Sequence, residues 1–432
     1  KFHSVKSEEM FFLFLALINL IVIQARILNF EDLGAIPFDR TYETAVANGN
    51  LFNATLNAIQ PGDVFYIPHK TFTLNGGIKA RGIKDFILKI DGTLSFWDDR
   101  ETWPKKDDGS VEESIYLEDI QNVVFTSSGK GVLDGNGKAW WGAIKFLKFQ
   151  EDRPRLVHIK GSKNVLVERL LLKNSAYWTF YAENSDGLEI RNTDVDARWT
   201  NADSHTLIDL QAFNTDGFDV TGKNVYIHDC TIWNQDDCIS VKDGSQDMLF
   251  ERISCSGLGL VVGSIGDSMV KNITFRDSYM PNTFKGIYMK TRWYDSAPVG
   301  ERASISDVLY QNITMDNPEQ YAIWIGPAQQ TGQPCSLLWT ITKNAECHMS
   351  GYQTWSNIVL RDIFINNPKN SPGVLMGNTS NPMQSVVFEN VVVTNPGDKP
   401  WGNDFYYCEG IDGVVKGSTT PAPPCFQSGG KQ

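Results

Sequence analysis

The chain has 432 residues, 41% hydrophobic and 12% aromatic, with 39 Lys plus Arg against 51 Asp plus Glu and a formal net charge of −12. That composition excludes a mainly disordered chain, and the acidic balance argues against a polyphosphate-binding surface, so no nucleic-acid partner is expected. Six His and seven Cys are too few for a metal-rich protein or a disulfide scaffold, and neither a metal nor a cofactor is expected.

From Phe11 to Ile23 the chain is apolar apart from Asn19. This run is too short to span a bilayer comfortably but suits the hydrophobic region of a signal peptide, with Ala25 as the small residue before cleavage. Residues 1–25 are read as a leader, with Met10 a candidate start, and 26–432 as one domain, because no linker divides them. No other stretch is long and apolar enough to cross a membrane, so the mature chain is expected to be extracellular, off the membrane and monomeric.

Sequons at Asn53, Asn272, Asn312 and Asn378 are candidate glycosylation sites. Short-loop closure pairs Cys238 with Cys255, Cys335 with Cys347 and Cys408 with Cys425. Cys230 is left as a buried apolar residue rather than a reactive thiol.

Downstream of a short Ala- and Asn-containing segment at 50–59, read as a capping helix, one pattern returns along the chain. It is an apolar-x-apolar triplet followed by polar residues. It occurs at Phe86–Leu88, Val123–Phe125, Val165–Val167, Leu188–Ile190, Val225–Ile227, Met248–Phe250, Ile273–Phe275, Val308–Tyr310, Ile358–Leu360 and Val386–Phe388. Successive steps are 37, 42, 23, 37, 23, 25, 35, 50 and 28 residues. Alternating apolar residues signal strands, and the breaks between them are too short for crossover helices. Propeller blades need about 40–50 residues, so steps of 23 and 25 favour single coils of a solenoid. The expected fold is all-β, a single-domain right-handed parallel β-helix.

The chemistry-bearing residues fall in the middle coils. Asn214-Thr215-Asp216 precedes Asn234-Gln235-Asp236-Asp237, then Gly257-Leu258-Gly259 and Tyr288-Met289-Lys290. The gaps from Asp216 to Asp237 and from Asp237 to Leu258 are both 21 residues, close to one coil. Residues one coil apart stack about 4.8 Å from each other. Three carboxylates at such distances raise at least one pKa, giving a protonated acid beside ionised groups that activate water. Isolated Asx residues would be read as turn caps between coils. An Asp pair one coil beyond a third Asp is read as an inverting glycosidase site, with acid and base about 6.5–9.5 Å apart.

With these motifs, and with Asp134-Gly135-Asn136-Gly137 and Asn174-Ser175-Ala176-Tyr177-Trp178 upstream, the chain resembles glycoside hydrolase family 28, the polygalacturonase family. The resemblance implies Asp236 as general acid, Asp237 and Asp216 as the groups activating water, and a disulfide beside the pair, Cys238 to Cys255. It implies an acidic cell-wall polysaccharide, pectin of plant or algal origin, as substrate, cut at α-galacturonosidic linkages. Two departures stand out. Leu258 occupies the place of the family's His, and Tyr288 that of an Arg which, with Lys290, grips a substrate carboxylate.

Losing that guanidinium removes a bidentate partner, so unsubstituted homogalacturonan is expected to be a poorer substrate than a backbone with neutral residues or decoration. Rhamnogalacturonan or xylogalacturonan hydrolysis, and a non-catalytic polysaccharide-binding role, are the alternatives. A lyase is disfavoured because no Arg is placed near the triad. Trp293 is the aromatic assigned to substrate, whereas Trp140, Trp141, Trp178 and Trp233 are read as core. Lys242 and Asp243 are read as ladder or loop residues, and His205 and His228 as lying near the site. The segments 196–213 and 292–306 are expected to wall one end of the cleft, which suits exo action.

Overall fold

The computed structural model describes residues 25–142, 152–206, 208–292, 303–330, 334–342 and 344–428. The leader short of Ala25, and Trp293, lie outside the described residues. Among these, 28 strands join into one continuous sheet wound as a right-handed parallel β-helix.

All ten triplets are rungs of one ladder. Phe86 pairs with Val123, Val123 with Val165, Val165 with Leu188, and Leu188 with Val225. The same register continues through Met248, Ile273, Val308 and Ile358 to Val386. The irregular spacing in sequence therefore reflects loops inserted between coils and never a slip within the ladder. First and third members point inward, where Phe250, Phe275 and Tyr310 stack with centroids 4.6 and 4.8 Å apart. Such stacking of like side chains at the rung repeat gives the core its packing.

The turns explain why the chain is rich in Asn. Many coil corners hold an Asn or Asp at positive φ, among them Asn122 at 53°, Asn164 at 53° and Asn272 at 56°. Asn and Asp tolerate this left-handed region better than other residues with a Cβ. Their side chains also form ladders of their own, Asn164 donating to Asn122 and Asn122 to Asp85. The sequon residues Asn272 and Asn312 belong to such ladders, donating to Asp247 and Asp277. Asn53 accepts from the Lys79 amide, and Asn378 donates to the Met349 carbonyl.

The capping helix α1 runs over Tyr42–Asn57, not from 50 to 59. Thr41 caps it by accepting from the Thr44 amide, and Phe52 and Leu56 seal the first coil. The β-branched and polar residues of its first half, with Asn48, Gly49 and Asn50, hid that start. The three expected disulfides are formed, and Cys230 is the free cysteine, buried, its thiol pushed up to about 12 by that burial. No helix of the described residues is long and apolar enough to cross a membrane.

Candidate active site

A second ladder carries the site. Phe218, Ile239, Leu260 and Ile287 pair in register on successive coils and point inward. The residues two positions before them are Asp216, Asp237, Leu258 and Lys285. One position after the paired residues Val241, Val262 and Met289 come Lys242, Gly263 and Lys290. Thus one column before the strands holds Asp216, Asp237, Leu258 and Lys285, and Lys242 and Lys290 stand two coils apart at equivalent offsets beyond it.

The turns before these strands are braced to one another. Asn234, fully buried, donates to the carbonyls of Thr215 and Asp237 at 2.8 and 2.9 Å. The Gln235 amide donates to Thr215 Oγ1, which itself donates to the Ala212 carbonyl. A Cβ on Gly257 would come within 1.8 Å of Asn234 Oδ1, so only glycine lets the next coil approach this brace. The disulfide from Cys238 to Cys255 ties the same two coils, and the Gly257 amide donates to Cys238 Sγ.

Asp216, Asp236 and Asp237 are 4%, 5% and 1% exposed, and one oxygen from each lies within 4.8 Å of the others. Asp216 and Asp237 are brought together by the register, one coil apart at the ladder repeat, and Asp236 by being the chain neighbour of Asp237. Burial, then the charge of Asp237, pushes Asp236 up to about 7. Burial, then Asp236 and Asp219, raises Asp216 well above the carboxylate range. Asp236 accepts from the Asn214 amide and side chain and from the Asp237 amide. Among the described residues this triad is the group of acids close enough to hold a cation. Two ammonium groups already stand there: Lys290 Nζ lies 3.1 and 2.9 Å from the oxygens of Asp237, and Lys242 Nζ lies 3.8 Å from Asp216.

Several placements differ from expectation. Lys242 belongs to the site, pairing at 3.0 Å with the fully buried Asp219, whereas Asp243 only caps the loop amides of Gly266, Asp267 and Ser268. Lys242 stands at the strand offset of Lys290, a signal present in the sequence. Arginines do approach the triad: Arg153 lies 3.4 Å from the Asn214 side chain that holds Asp236, and Arg155 stacks 4.6 Å from the Trp178 ring, which Lys242 also faces at 4.8 Å. They come from two coils before that of Asp216, a relation that the inserted segment between Trp178 and Asp216 hid in the sequence spacing. Trp178 is half-buried beside Lys242, while Trp140 and Trp141 are core.

His228 sits on the triplet ladder, bound to Glu189 and Asp229, away from the aspartates. His205 approaches instead, its Nδ1 2.9 Å from Gln235 Oε1. Within the segment at 196–213, of which 207 lies outside the described residues, the His205 amide donates to Glu319 and its ring packs 5.4 Å from that of Phe284, so this stretch lies beside later coils near the triad. Of the second expected wall, 293–302 lies outside the described residues. Leu258 donates its amide to the Asp236 carbonyl, and Tyr288 stands 4.3 Å from Lys290 Nζ, only 3% exposed and its phenol pushed up to about 12 by burial.

The model of "Glycosyl hydrolases family 28" matches residues 62–406. An exopolygalacturonase of Cochliobolus carbonum is 25% identical over 85% of this chain and 81% of its own length. Endo-xylogalacturonan hydrolase A of Aspergillus tubingensis is 30% identical over 61% of this chain, which spans 63% of that relative's length. In fold, the crystal structure of an exopolygalacturonase from Thermotoga maritima superposes with a TM-score of 0.65 at 18% identity, covering 91% of this chain and 92% of that one. With its β-helix and its three stacked aspartates, the chain belongs to glycoside hydrolase family 28.

Proposed function

We propose that the protein is a secreted, monomeric, polygalacturonase-like hydrolase that cuts α-galacturonosidic bonds of pectin with inversion, working from chain ends. The observation that carries this reading is the division of the triad. Asp236, held up to about 7, is suited to protonate the leaving oxygen, while Asp237, its two oxygens held by the Lys290 ammonium, is placed to take a proton from water. The similarity to exopolygalacturonases supports exo action. Three disulfides and the apolar run at 11–23 support an extracellular enzyme, glycosylated at surface sequons.

The test is reducing-end release from homogalacturonan with products resolved by size. Monomer should appear first; a ladder of oligomers would reverse the exo reading, and no release would overturn the function. A second reading, xylogalacturonan hydrolysis, is favoured by Leu258 and Tyr288 beside the triad and by the 30% identical relative. Faster release from the xylosylated backbone would select it.

A further inference from the structure

Three lysines reach the site, and they are not equivalent. Lys242 is paired with Asp219, and Lys290 spans both oxygens of Asp237. Lys285, in the column of Asp216, Asp237 and Leu258, is only 4% exposed, yet its ammonium has no carboxylate within 4.0 Å among the described residues. Its hydrogen-bond acceptor is Gln329 Oε1 at 3.0 Å. An ammonium has three donors, so two remain for a ligand.

The surroundings form a built receptor. Lys285 Nζ lies 4.1 Å from the Tyr288 ring centroid and 4.7 Å from that of Trp324. Lys290 Nζ lies 4.3 Å from the same Tyr288 ring, so this phenol stands against both cations. Gln329 is fixed in turn, its amide donating to the Ser336 carbonyl beside the disulfide of Cys335 and Cys347. A buried cation lacking an anion is costly, and a substrate carboxylate would supply the missing charge and acceptors.

Resting on the pectin reading above, we propose that Lys285 is the receptor for the C6 carboxylate of the galacturonate seated beside the aspartates. Tyr288 removes a guanidinium from its own position but leaves an aromatic face against which a lysine five residues from Lys290 can lie. The expectation that free homogalacturonan is disfavoured counted one cation, whereas the site contains an unused second one. Burial and the neighbouring charge of Lys290 lower the Lys285 ammonium to about 7, and the incoming carboxylate would hold it protonated.

The test is equilibrium binding, by calorimetry at pH 6, of trigalacturonate and of its methyl ester to the full chain carrying Asp236→Asn, with and without Lys285→Met. Loss of one charge-assisted contact predicts about ten- to a hundredfold weaker binding of the acid, with the ester unchanged and Lys285→Arg restoring much of the loss. Equal weakening of acid and ester, an unchanged affinity for the acid, or no binding of trigalacturonate to the Asp236→Asn chain would overturn the proposal. Reducing-end release by the unsubstituted protein is scored separately, so failure of the hydrolase reading is distinguished from failure of this one.

Discussion

Lys290 Nζ bridges both carboxylate oxygens of Asp237 at 3.1 and 2.9 Å, the aspartate side chain 1% exposed and the lysine 11%. The lysine is therefore part of the apparatus that sets Asp237 apart from Asp236, which has no ammonium on its oxygens among the described residues. Removing one member of a buried pair costs about 3–5 kcal/mol because the other charge stays buried. Lys290→Met should lower the unfolding free energy by about that much in urea titrations, and adding Asp237→Asn should restore part of it. A single variant as stable as the parent would show the pair to be solvent-screened.

Asp236→Asn should leave the fold intact and remove most activity. An amide keeps one of the two acceptor oxygens that the Asn214 and Asp237 amides use, and it has no acidic proton to give the leaving oxygen. General acid catalysis contributes roughly 10²–10⁴-fold, so kcat on a galacturonan oligomer should drop within that range. Near-parental turnover with unchanged circular dichroism would remove Asp236 from the acid role.

The ladder of ten triplets was legible because alternating apolar residues report strands wherever they occur, however long the loop between them. The carboxylates were legible for the same reason: Asp216 and Asp237 are one undisturbed coil apart. Lys285 was not, since a longer turn places it 27 residues after Leu258, off the period shared by the aspartates. Arg153 and Arg155 also escaped, because a solenoid brings together residues whose sequence separation depends on every insertion between them. The start of α1 was hidden by a cap and weak helix formers that propensity alone would leave as loop.

The elevated pKa of Asp236 fixes the direction of the pH profile. The acid works protonated, and burial with the charge of Asp237 holds it up to about 7. Activity is therefore present below that value and lost above it. kcat/KM, which reports the free enzyme, should fall about tenfold per pH unit above about 7. A profile flat to pH 9 would place the acid elsewhere.

Glu113 offers a test of stability rather than catalysis. Burial acts to raise its pKa, but His158 and Arg155, whose Nη1 lies 2.6 Å from Oε1, hold it down at about 2 from an ordinary 4.5. A depressed carboxylate stabilises the fold above its unfolded pKa, and that contribution disappears as pH falls from about 4.5 toward 2. The shift corresponds to about 3 kcal/mol. Glu113→Gln should therefore destabilise the protein at pH 6 and show a flatter dependence of Tm between pH 5 and 3 than the parent. Parallel Tm curves would mean that Glu113 titrates normally.

The stereochemical outcome turns on which carboxylate is free to attack. Oxygens of the triad lie within 4.8 Å, near the roughly 5–5.5 Å spacing associated with retention and a covalent intermediate. A nucleophile must bring a lone pair to the anomeric carbon, however, and both Asp237 oxygens are engaged by Lys290, while Asp216 is raised well above the carboxylate range and buried beneath the turn. A water held by Asp216, one coil away, can give its proton to a lone pair of Asp237 that Lys290 leaves unused, without breaking that ion pair. Attack by that water gives inversion. Proton NMR during hydrolysis of an α-linked trigalacturonate should show the β-anomer first, with the α-anomer growing only by mutarotation. Initial appearance of the α-anomer would mean that one of the two carboxylates leaves its lysine to bond the sugar, and the inverting assignment would fail.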